Sequence, residues 1–592
     1  MCGIFFSIHA DNNSCSDSRF LSICHALKRN NADRGPDAQG NHRIHITTST
    51  PISQGISHQI DHNYGRVRFE VDFYASELRL RGESPIFQPH VQRGNILCWN
   101  GEIFDGLEVP LHENDGVKML DSLHNLKTGS QIRDFFGTVE GPYAFVFYQK
   151  ESECLFFARD PLGRRSLLIH RPTPDQPYLL LSSVSAGLNA GYNFDDVSTD
   201  FIYCLSLRSL ASIQDYNRHL QCLPRSTPDR SLPYARPSKI NESLPPDELA
   251  VIESASIPSY LSQVVDDLID QLNRSVLLRI RNIPRISGPS RSASVAILFS
   301  GGIDSTVLAF FAHKHIPLDE PIDLLNVAFE NPRKLGITTQ ESLSNSPRRA
   351  KKEKISQLNG SNEPTGTYLV PDRVTGLLEV EELRRIYPGR VWNFVEINVP
   401  YQESQSARET IESLMIPGRT VMDLSLALAL YFASRGQGQI RTSLGSEPEM
   451  YTSVARVVIS GLGSDELMGG YGRHRSAFYT GGWEAVIKEL QLEIDRIPTR
   501  NLGRDDRIVS SHGKETRHPF LSLDVVRFLA SLPIHLKMDP RADLGVGDKM
   551  ILRLLAQRVG LVEASSRKKR AMQFGSHSAR MGGEKRGDVD LV

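Results

Sequence analysis

A cysteine stands at position 2, directly behind the initiator methionine. Removal of that methionine would leave one residue carrying both a thiol and a free α-amine, with reference pKa values of about 8.5 and about 7.7–8.0. The amine is then a competent base beside the nucleophile it would activate. Most lone cysteines are inert core residues, and position alone does not decide between the two readings. A second chemical feature is LFSGGIDST (298–306), where the strand-like run VAILF (295–299) gives way to a glycine turn and the helical STVLAFFAHK. Open parallel sheets bind ligands beyond the carboxyl ends of their strands. Gly301 and Gly302 let the backbone approach phosphate, and the helix N-terminus with Ser300 and Ser305 supplies donors. No G-x-x-x-x-G-K-[ST] occurs, so this is not a Walker-type loop. A third feature, SGLGSDELMGGYGRHR (460–475), follows another apolar run, RVVIS. Asp304 and Asp465 are hard-oxygen candidates for Mg²⁺, which takes few protein carboxylates together with substrate phosphate. Asp465 also reads as the N-terminal cap of a helix over ELMGGY.

The elements that must position these residues fall into two patterns. Up to about residue 190 the chain reads as short strands such as NILCWN and YAFVFY with turn glycines between them. From 258 an amphipathic segment, YLSQVVDDLIDQLNRSVLLRI, places Leu261, Val264, Val265, Leu268, Leu272, Val276 and Leu277 at helical spacing. The apolar strands VAILF, LLNVAF, VWNFVEINV and RVVISG then alternate with helical stretches such as VMDLSLALALYFASR, which predicts a parallel α/β sheet. The expected organisation is a domain over 2–190, a connector over 191–257, a second domain over 258–580, which the resemblance below implies to be ATP-binding, and a tail over 581–592. The connector holds the Pro/Ser/Arg-rich PRSTPDRSLPYARPSK, read as a linker or surface loop. Within the ATP-binding domain, the polar, basic and serine-rich stretch 331–366 reads as a mobile insertion.

Composition narrows the function classes. The 592 residues suggest roughly two to four domains. An apolar fraction of 40%, a charged fraction of 23% and a net charge of −1 describe an ordinary globular chain with no footprint for nucleic acid or membrane. The seven cysteines (2, 15, 24, 98, 154, 204 and 222) are odd in number and include no C-x-x-C pair, which fits a reducing, cytoplasmic compartment. The N-terminus has no basic n-region, and the longest apolar stretch, near Leu424, is about half a membrane span. The chain reads as soluble.

Further motifs occur in a fixed order: RGPD (34–37), NGEIF (100–104), END (113–115), GPYAFVFY and ARDPLGRRSL. With Cys2 they resemble class II glutamine amidotransferase domains, N-terminal-nucleophile hydrolases with an αββα fold. The resemblance covers about 2–185. It implies that Cys2 attacks the glutamine side-chain amide and that Asn100 with the Gly101 N–H forms an oxyanion hole. It also implies that Glu102 lines the glutamine site and that Asp115 pairs with the glutamine α-ammonium. An arginine in ELRLRGE would hold the α-carboxylate; Arg79 is the first choice and Arg81 the alternative. SGGIDS resembles the PP-loop of ATP pyrophosphatases. The 460–475 loop, RDDR (504–507), GKETRHPFL (513–521), DKMILR (548–553) and RKKRAMQFGS (567–576) resemble asparagine synthetases. That likeness implies an ATP site of Leu298, Ser300, Gly301, Gly302, Asp304, Ser305, Val327, Ser460 and Gly461, with Lys549 neutralising the leaving phosphates. ATP with Mg²⁺, glutamine and aspartate would be the small-molecule partners, with no organic prosthetic group and a possible homodimer.

One position departs from the family. Asparagine synthetases typically read SGEGSDE where this chain has SGLGSDE, so Leu462 replaces a glutamate thought to help assemble the aspartyl-adenylate and take a proton as ammonia attacks. Leucine does neither. This change, the 331–366 insertion and phrases such as IDLLNVAFENP and LVPDRVTGLLEVEELRR resemble one eukaryotic branch, the asparagine synthetase domain-containing protein 1 group. The expected activity is glutamine-dependent asparagine synthesis. The alternatives are an amidotransferase or cyclase acting on another carboxylate, and a non-synthesising regulatory protein that binds glutamine or ATP.

Overall fold

The computed structural model describes residues 2–11, 18–51, 64–188, 191–226, 232–251, 257–284, 292–330, 368–441, 445–568, 570–582 and 588–591. The insertion expected at 331–366 and Cys15 lie outside these residues. The chain divides into two compact units, Met1–Pro237 with Arg496–Gly513, and Ser238–Asp495 with Lys514–Val592.

The first unit holds β1 (Cys2–Ala10), β2 (Ala38–Pro51), β3 (Tyr64–Glu77), β4 (His90–Gln92), β5 (Asn95–Gly101), β6 (Tyr143–Gln149), β7 (Cys154–Arg159), β8 (Leu168–His170), β9 (Leu179–Ser182), β10 (Asp195–Asp196), β11 (Phe201–Ser206) and β12 (Leu220–Pro224). They form two six-stranded sheets of order β10-β8-β9-β1-β3-β2 and β12-β11-β7-β6-β5-β4. Every strand pairing in them is antiparallel. Strand alternation sorts the side chains. Ile4, Phe6 and Ile8 of β1 meet Ile96 and Cys98 of β5 in one core between the sheets. Leu97 and Trp99 point the other way, into a second core with Met119, Leu120, Ile132 and Phe136 of the helices Asp115–His124 and Gly129–Phe136. The helix Ser18–Ala32 lies on β1 and β3. The result is helix, sheet, sheet, helix. The two-residue period also puts Cys2 on the face of Ile4, and Asn100 on the face of Cys98.

Two stretches sit differently from their place in the sequence. Residues 191–257, read as a connector, supply β10, β11 and β12. Within the proline-rich stretch Arg225 is buried, donating to Thr199 O at 2.5 Å, Tyr143 Oη at 3.0 Å and the Arg159 carbonyl. Buried guanidinium donors with acceptors in place make Arg225 part of the fold. The helix Leu502–Ser510, inside the expected ATP-binding half, belongs to the first unit because its polar side chains find their partners there.

The second unit carries β13 (Val295–Leu298), β14 (Ile322–Phe329), β15 (Trp392–Val399), β16 (Gln437–Ile440), β17 (Glu449–Thr452), β18 (Val457–Ile459) and β19 (Glu515–Arg517). The seven-stranded sheet runs β17-β16-β15-β14-β13-β18-β19. From β15 to β19 it is parallel, as the fully apolar runs predict. The antiparallel pair β16–β17 extends one edge and is too polar to have been read from sequence. The helix Ser259–Ile280 buries Leu261, Val265, Leu268, Leu272 and Val276, while Val264 and Leu277 are only partly covered. Chain order runs from β13 outward through β14 to β15, then returns to the other side of β13 with β18 and β19. The topological switch point therefore lies between β13 and β18, where a crevice opens at the carboxyl ends.

Among the described residues of this unit, one buried charge has no partner. Lys537 is fully buried and its Nζ makes no hydrogen bond. Burial pulls its pKa down to about 7 from 10.5. The unfolded chain therefore binds more protons between those values, and stability rises with pH across that window. Lys537→Met is expected to raise the unfolding free energy at pH 7 by about 2–4 kcal/mol, with the gain shrinking toward zero near pH 10.5. Denaturant melts at pH 7 and 9.5 measure this; an equal effect at both would contradict it.

Candidate active sites

In the first unit the alternation of β1 and β5 converges on one spot. The Cys2 backbone nitrogen donates to Asn100 Oδ1 at 3.0 Å. Asn100 is fully buried, and its Nδ2 has no hydrogen-bond partner. A buried amide donor left without an acceptor is what an oxyanion hole needs before substrate arrives. Gly101 ends β5 beside it. Gln88, which the sequence reading missed, donates from Nε2 to Cys2 Sγ at 3.3 Å and accepts the Trp99 N–H at Oε1. Glu77, also missed, stands opposite Cys2 in the β1–β3 register. Burial raises its carboxyl to about 7. Its Oε2 accepts the Ile86 N–H, and its Oε1 accepts from Asn114 Nδ2, the cap of the helix that opens with Asp115.

Asp115 takes the Ile103 N–H at 2.6 Å. Its other oxygen is 3.0 Å from Arg81 Nε, which also lies 3.4 Å from Glu102. The structure thus brings Arg81, the second choice, to Asp115 and Glu102. Arg79 instead donates to the carbonyls of Gly82 and Glu83, and its backbone N–H goes to Asp37. Gly82, with φ +78°, turns the chain back so that these carbonyls meet the Arg79 guanidinium. No spacing rule distinguishes two arginines of the same parity; only the turn does.

Behind this site lies a buried charge cluster. Arg34 of the RGPD motif donates to Asp506 Oδ2 at 2.8 Å and to Ser510 Oγ at 2.5 Å, and its Nε is 3.5 Å from the Cys2 carbonyl. Asp506 also accepts the Ser166 N–H at 3.0 Å and faces Arg165 at 3.4 Å. Burial would raise the Asp506 carboxyl, but Arg34 and Arg165 outweigh it and hold the group below the usual range.

The second site occupies the switch point. After β13, Gly301 adopts φ +74°, and a Cβ there would fall 2.5 Å from Gly376 N. Only glycine allows so close an approach. Gly302 N donates to Ser300 Oγ, and Ser305 Oγ donates to Gly302 O. Leu298 pairs with Leu325, two residues before the buried Val327 on β14. After β18, Ser460 N donates to Arg517 O, and Gly461 lies against Asp304. Lys549 arrives from a third segment. Its Nζ is 2.6 Å from Asp304 Oδ2, 2.8 Å from Asp465 Oδ1 and 3.1 Å from Ser464 Oγ. Burial would lower its pKa, but the two carboxylates raise it above the ordinary lysine value. The carboxylates converge on one cation position, and Asp304 Oδ1 remains buried without a hydrogen-bond partner. This donor set fits Mg²⁺, with substrate phosphate completing the shell.

Leu462 lies in the same loop, three residues before Asp465, its N–H on Ser460 Oγ. Nearby, buried Glu466 accepts a 2.5 Å hydrogen bond from Tyr471 Oη.

A model of the family "Glutamine amidotransferase domain" matches residues 76–189, and one of the family "Asparagine synthase" matches 479–589. The chain is similar to "Asparagine synthetase domain-containing protein 1" of Bos taurus, at 37% identity over 87% of this chain and 89% of that protein. The chain belongs to the asparagine synthetase domain-containing protein 1 family. It is also similar to "Asparagine synthetase domain-containing protein CG17486" of Drosophila melanogaster, at 32% identity over 98% of both chains. "Putative asparagine synthetase [glutamine-hydrolyzing] 1" of Methanocaldococcus jannaschii is 24% identical over 77% of this chain and 68% of that one. Membership of this family supplies a glutamine amidotransferase domain followed by an asparagine synthase domain. Among the described residues, no helix is long and apolar enough to cross a membrane.

The Arg34–Asp506–Arg165 cluster gives a direct stability test. Asp506→Ala would strand two buried guanidiniums and is expected to destabilise the first unit by about 3–5 kcal/mol. Thermal melts with limited proteolysis at sites in that unit measure it; a wild-type melt would contradict the assignment.

Proposed function

We propose that the chain is a glutamine-dependent amidotransferase of the N-terminal-nucleophile class whose second domain activates a carboxylate as an acyl-adenylate, aspartate being the best single acceptor. The observation that carries the reading is Lys549 Nζ gathering Asp304 and Asp465 at the switch point, 2.6 and 2.8 Å away. This is the half in which Leu462 departs from the family, and its charge machinery is otherwise assembled.

At the first site, removal of Met1 turns the Cys2 nitrogen into an α-amine, already oriented by Asn100 Oδ1. That amine takes the thiol proton as sulfur attacks the glutamine amide carbon. Asn100 Nδ2 and the Gly101 N–H face the developing oxyanion, where one such donor contributes roughly 10²–10³ in rate. Asp115 receives the glutamine α-ammonium, and Arg81, already beside it, is better placed than Arg79 for the α-carboxylate. Ammonia leaves, and a glutamyl thioester remains for water.

At the second site, Ser300, Gly301, Gly302 and Ser305 cradle phosphate, while Leu298, Val327, Ser460 and Gly461 border the nucleotide. Mg²⁺ held by Asp304 and Asp465 would neutralise phosphate charge. Lys549 stabilises charge on the departing pyrophosphate. Ammonia displaces AMP from the acyl group to give the amide. The odd number of cysteines without a C-x-x-C pair supports a cytoplasmic location for this chemistry.

Pure protein incubated with aspartate and Mg-ATP is expected to release AMP and form asparagine with either glutamine or ammonium as nitrogen source. Absence of aspartate-dependent AMP under both conditions would exclude this acceptor and favour one of the alternatives that Leu462 motivates. Cys2→Ala is expected to lower glutamine-driven synthesis by at least about 10³ while leaving ammonium-driven synthesis within about twofold. Loss of both would contradict the two-site division.

A further inference from the structure

A cavity of about 270 Å³ opens beside the second site. Its wall includes Gly470, Tyr471, Arg475, Met538, Asp548 and Lys568. Gly470 lies so close to Asp465 Oδ1 and Lys549 Cε that no Cβ fits there, so the cavity begins where the Lys549 cluster ends. Pockets for drug-sized ligands run from about 300 to 1,000 Å³, so this one suits a small molecule.

Its charges are unbalanced. Arg475 is held by a 2.6 Å bond to the Ala542 carbonyl and, among the described residues, has no carboxylate partner. Among the described residues Lys568 likewise has no ion-pair or hydrogen-bond partner. The one carboxylate in the wall, Asp548, is engaged by Arg553 Nη2 at 2.5 Å and by the Gly545 N–H at 2.6 Å. Arg473, close in sequence but not in the wall, is already neutralised by Glu489 and Glu493. Two cations therefore line one small cavity with no counter-charge among the described residues, a few atoms from the lysine assigned to the leaving phosphates.

We infer that Arg475 and Lys568 are specificity-determining residues for the acceptor, holding a second carboxylate while the first is activated at the Lys549 end. The inference rests on the acyl-adenylate reading above and adds what that reading lacks, the groups that select the acceptor. The class selected is a short acid bearing two carboxylates. A charge-assisted hydrogen bond to such a group contributes on the order of tenfold or more in apparent affinity. Tyr471, its ring under the Arg473 guanidinium at 4.0 Å, gives the cavity a fixed wall.

The test compares aspartate with β-alanine, which keeps the amine and the reacting carboxylate but lacks the second carboxylate. Acceptor-dependent exchange of labelled pyrophosphate into ATP is followed in the full chain with Mg-ATP. Wild-type protein is expected to prefer aspartate by at least about 10²-fold in kcat/KM. Lys568→Met is expected to cut that preference about tenfold through the aspartate KM, leaving the β-alanine and ATP constants unchanged, and Lys568→Arg to restore it within about threefold. Arg475→Gln is expected to act in the same direction. An unchanged preference in both Lys568→Met and Arg475→Gln overturns the inference alone. So does a change confined to the KM for ATP or pyrophosphate, which would assign these cations to the phosphates. Wild-type protein that exchanges with neither acceptor overturns the parent reading and this inference with it.

Discussion

Asp304 and Asp465 come from different loops and carry the same charge, yet they point at one position. Two carboxylates held that close repel by an amount that grows as water is excluded, on the order of 4 kcal/mol at 4 Å in a partly desolvated site. Lys549 makes the arrangement possible. Its ammonium sits within hydrogen-bond distance of both and of Ser464 Oγ. The lysine itself adopts the left-handed conformation, φ +51°, an unfavourable backbone state for a residue with a Cβ. Its N–H is anchored on the Met468 carbonyl at the end of the second loop's short helix. A strained, fully buried cation that ties the two loops together is an organising device, and the glycines around it follow. Gly461 lies against Asp304, and Gly470 lies against Asp465 and Lys549.

The first unit uses the same device with the signs reversed. Asp506 is the anion, and Arg34 and Arg165 are the cations around it. Arg34 also approaches the Cys2 carbonyl, so the Cys2 backbone is backed by a charge cluster whose central member lies 472 residues downstream of Arg34. Burying three charges is costly unless they are paired, and here the Ser166 N–H and Ser510 Oγ add hydrogen bonds to Asp506 and Arg34. Within this unit, the helix Leu502–Ser510 and the amino-terminal strand depend on one another.

Leu462 removes a titratable group from this charge-rich environment but leaves the surrounding scaffold in place. The loop keeps its left-handed Gly463 and Gly469, its short helix and its link to Lys549. Glu466 and Tyr471 remain joined behind it. A single apolar side chain therefore changes the chemistry available at one point without loosening the loops around it.

The linear order of apolar runs, glycine turns and polar motifs determined a great deal. Period-two alternation in CGIFFSIHA and NILCWNG already places Cys2 and Asn100 on the faces that meet, because a strand cannot present neighbouring residues to the same side. Fully apolar runs followed by SGGIDS and SGLGSDE already place two loops at the carboxyl ends of parallel strands. The sequence could not rank Arg79 against Arg81: both guanidiniums donate to nearby carbonyls, and only the fold brings Arg81 beside Asp115 and Glu102. It gave no sign of Gln88 on the thiol, of Glu77 behind Asp115, or of residues 496–513 joining the amino-terminal unit. Those depend on contacts between segments tens to hundreds of residues apart, and long-range pairing leaves no periodic trace in the chain. Local periodicity therefore determined which residues face the sites, and the tertiary structure alone decided which charges neutralise one another and which are left for a ligand.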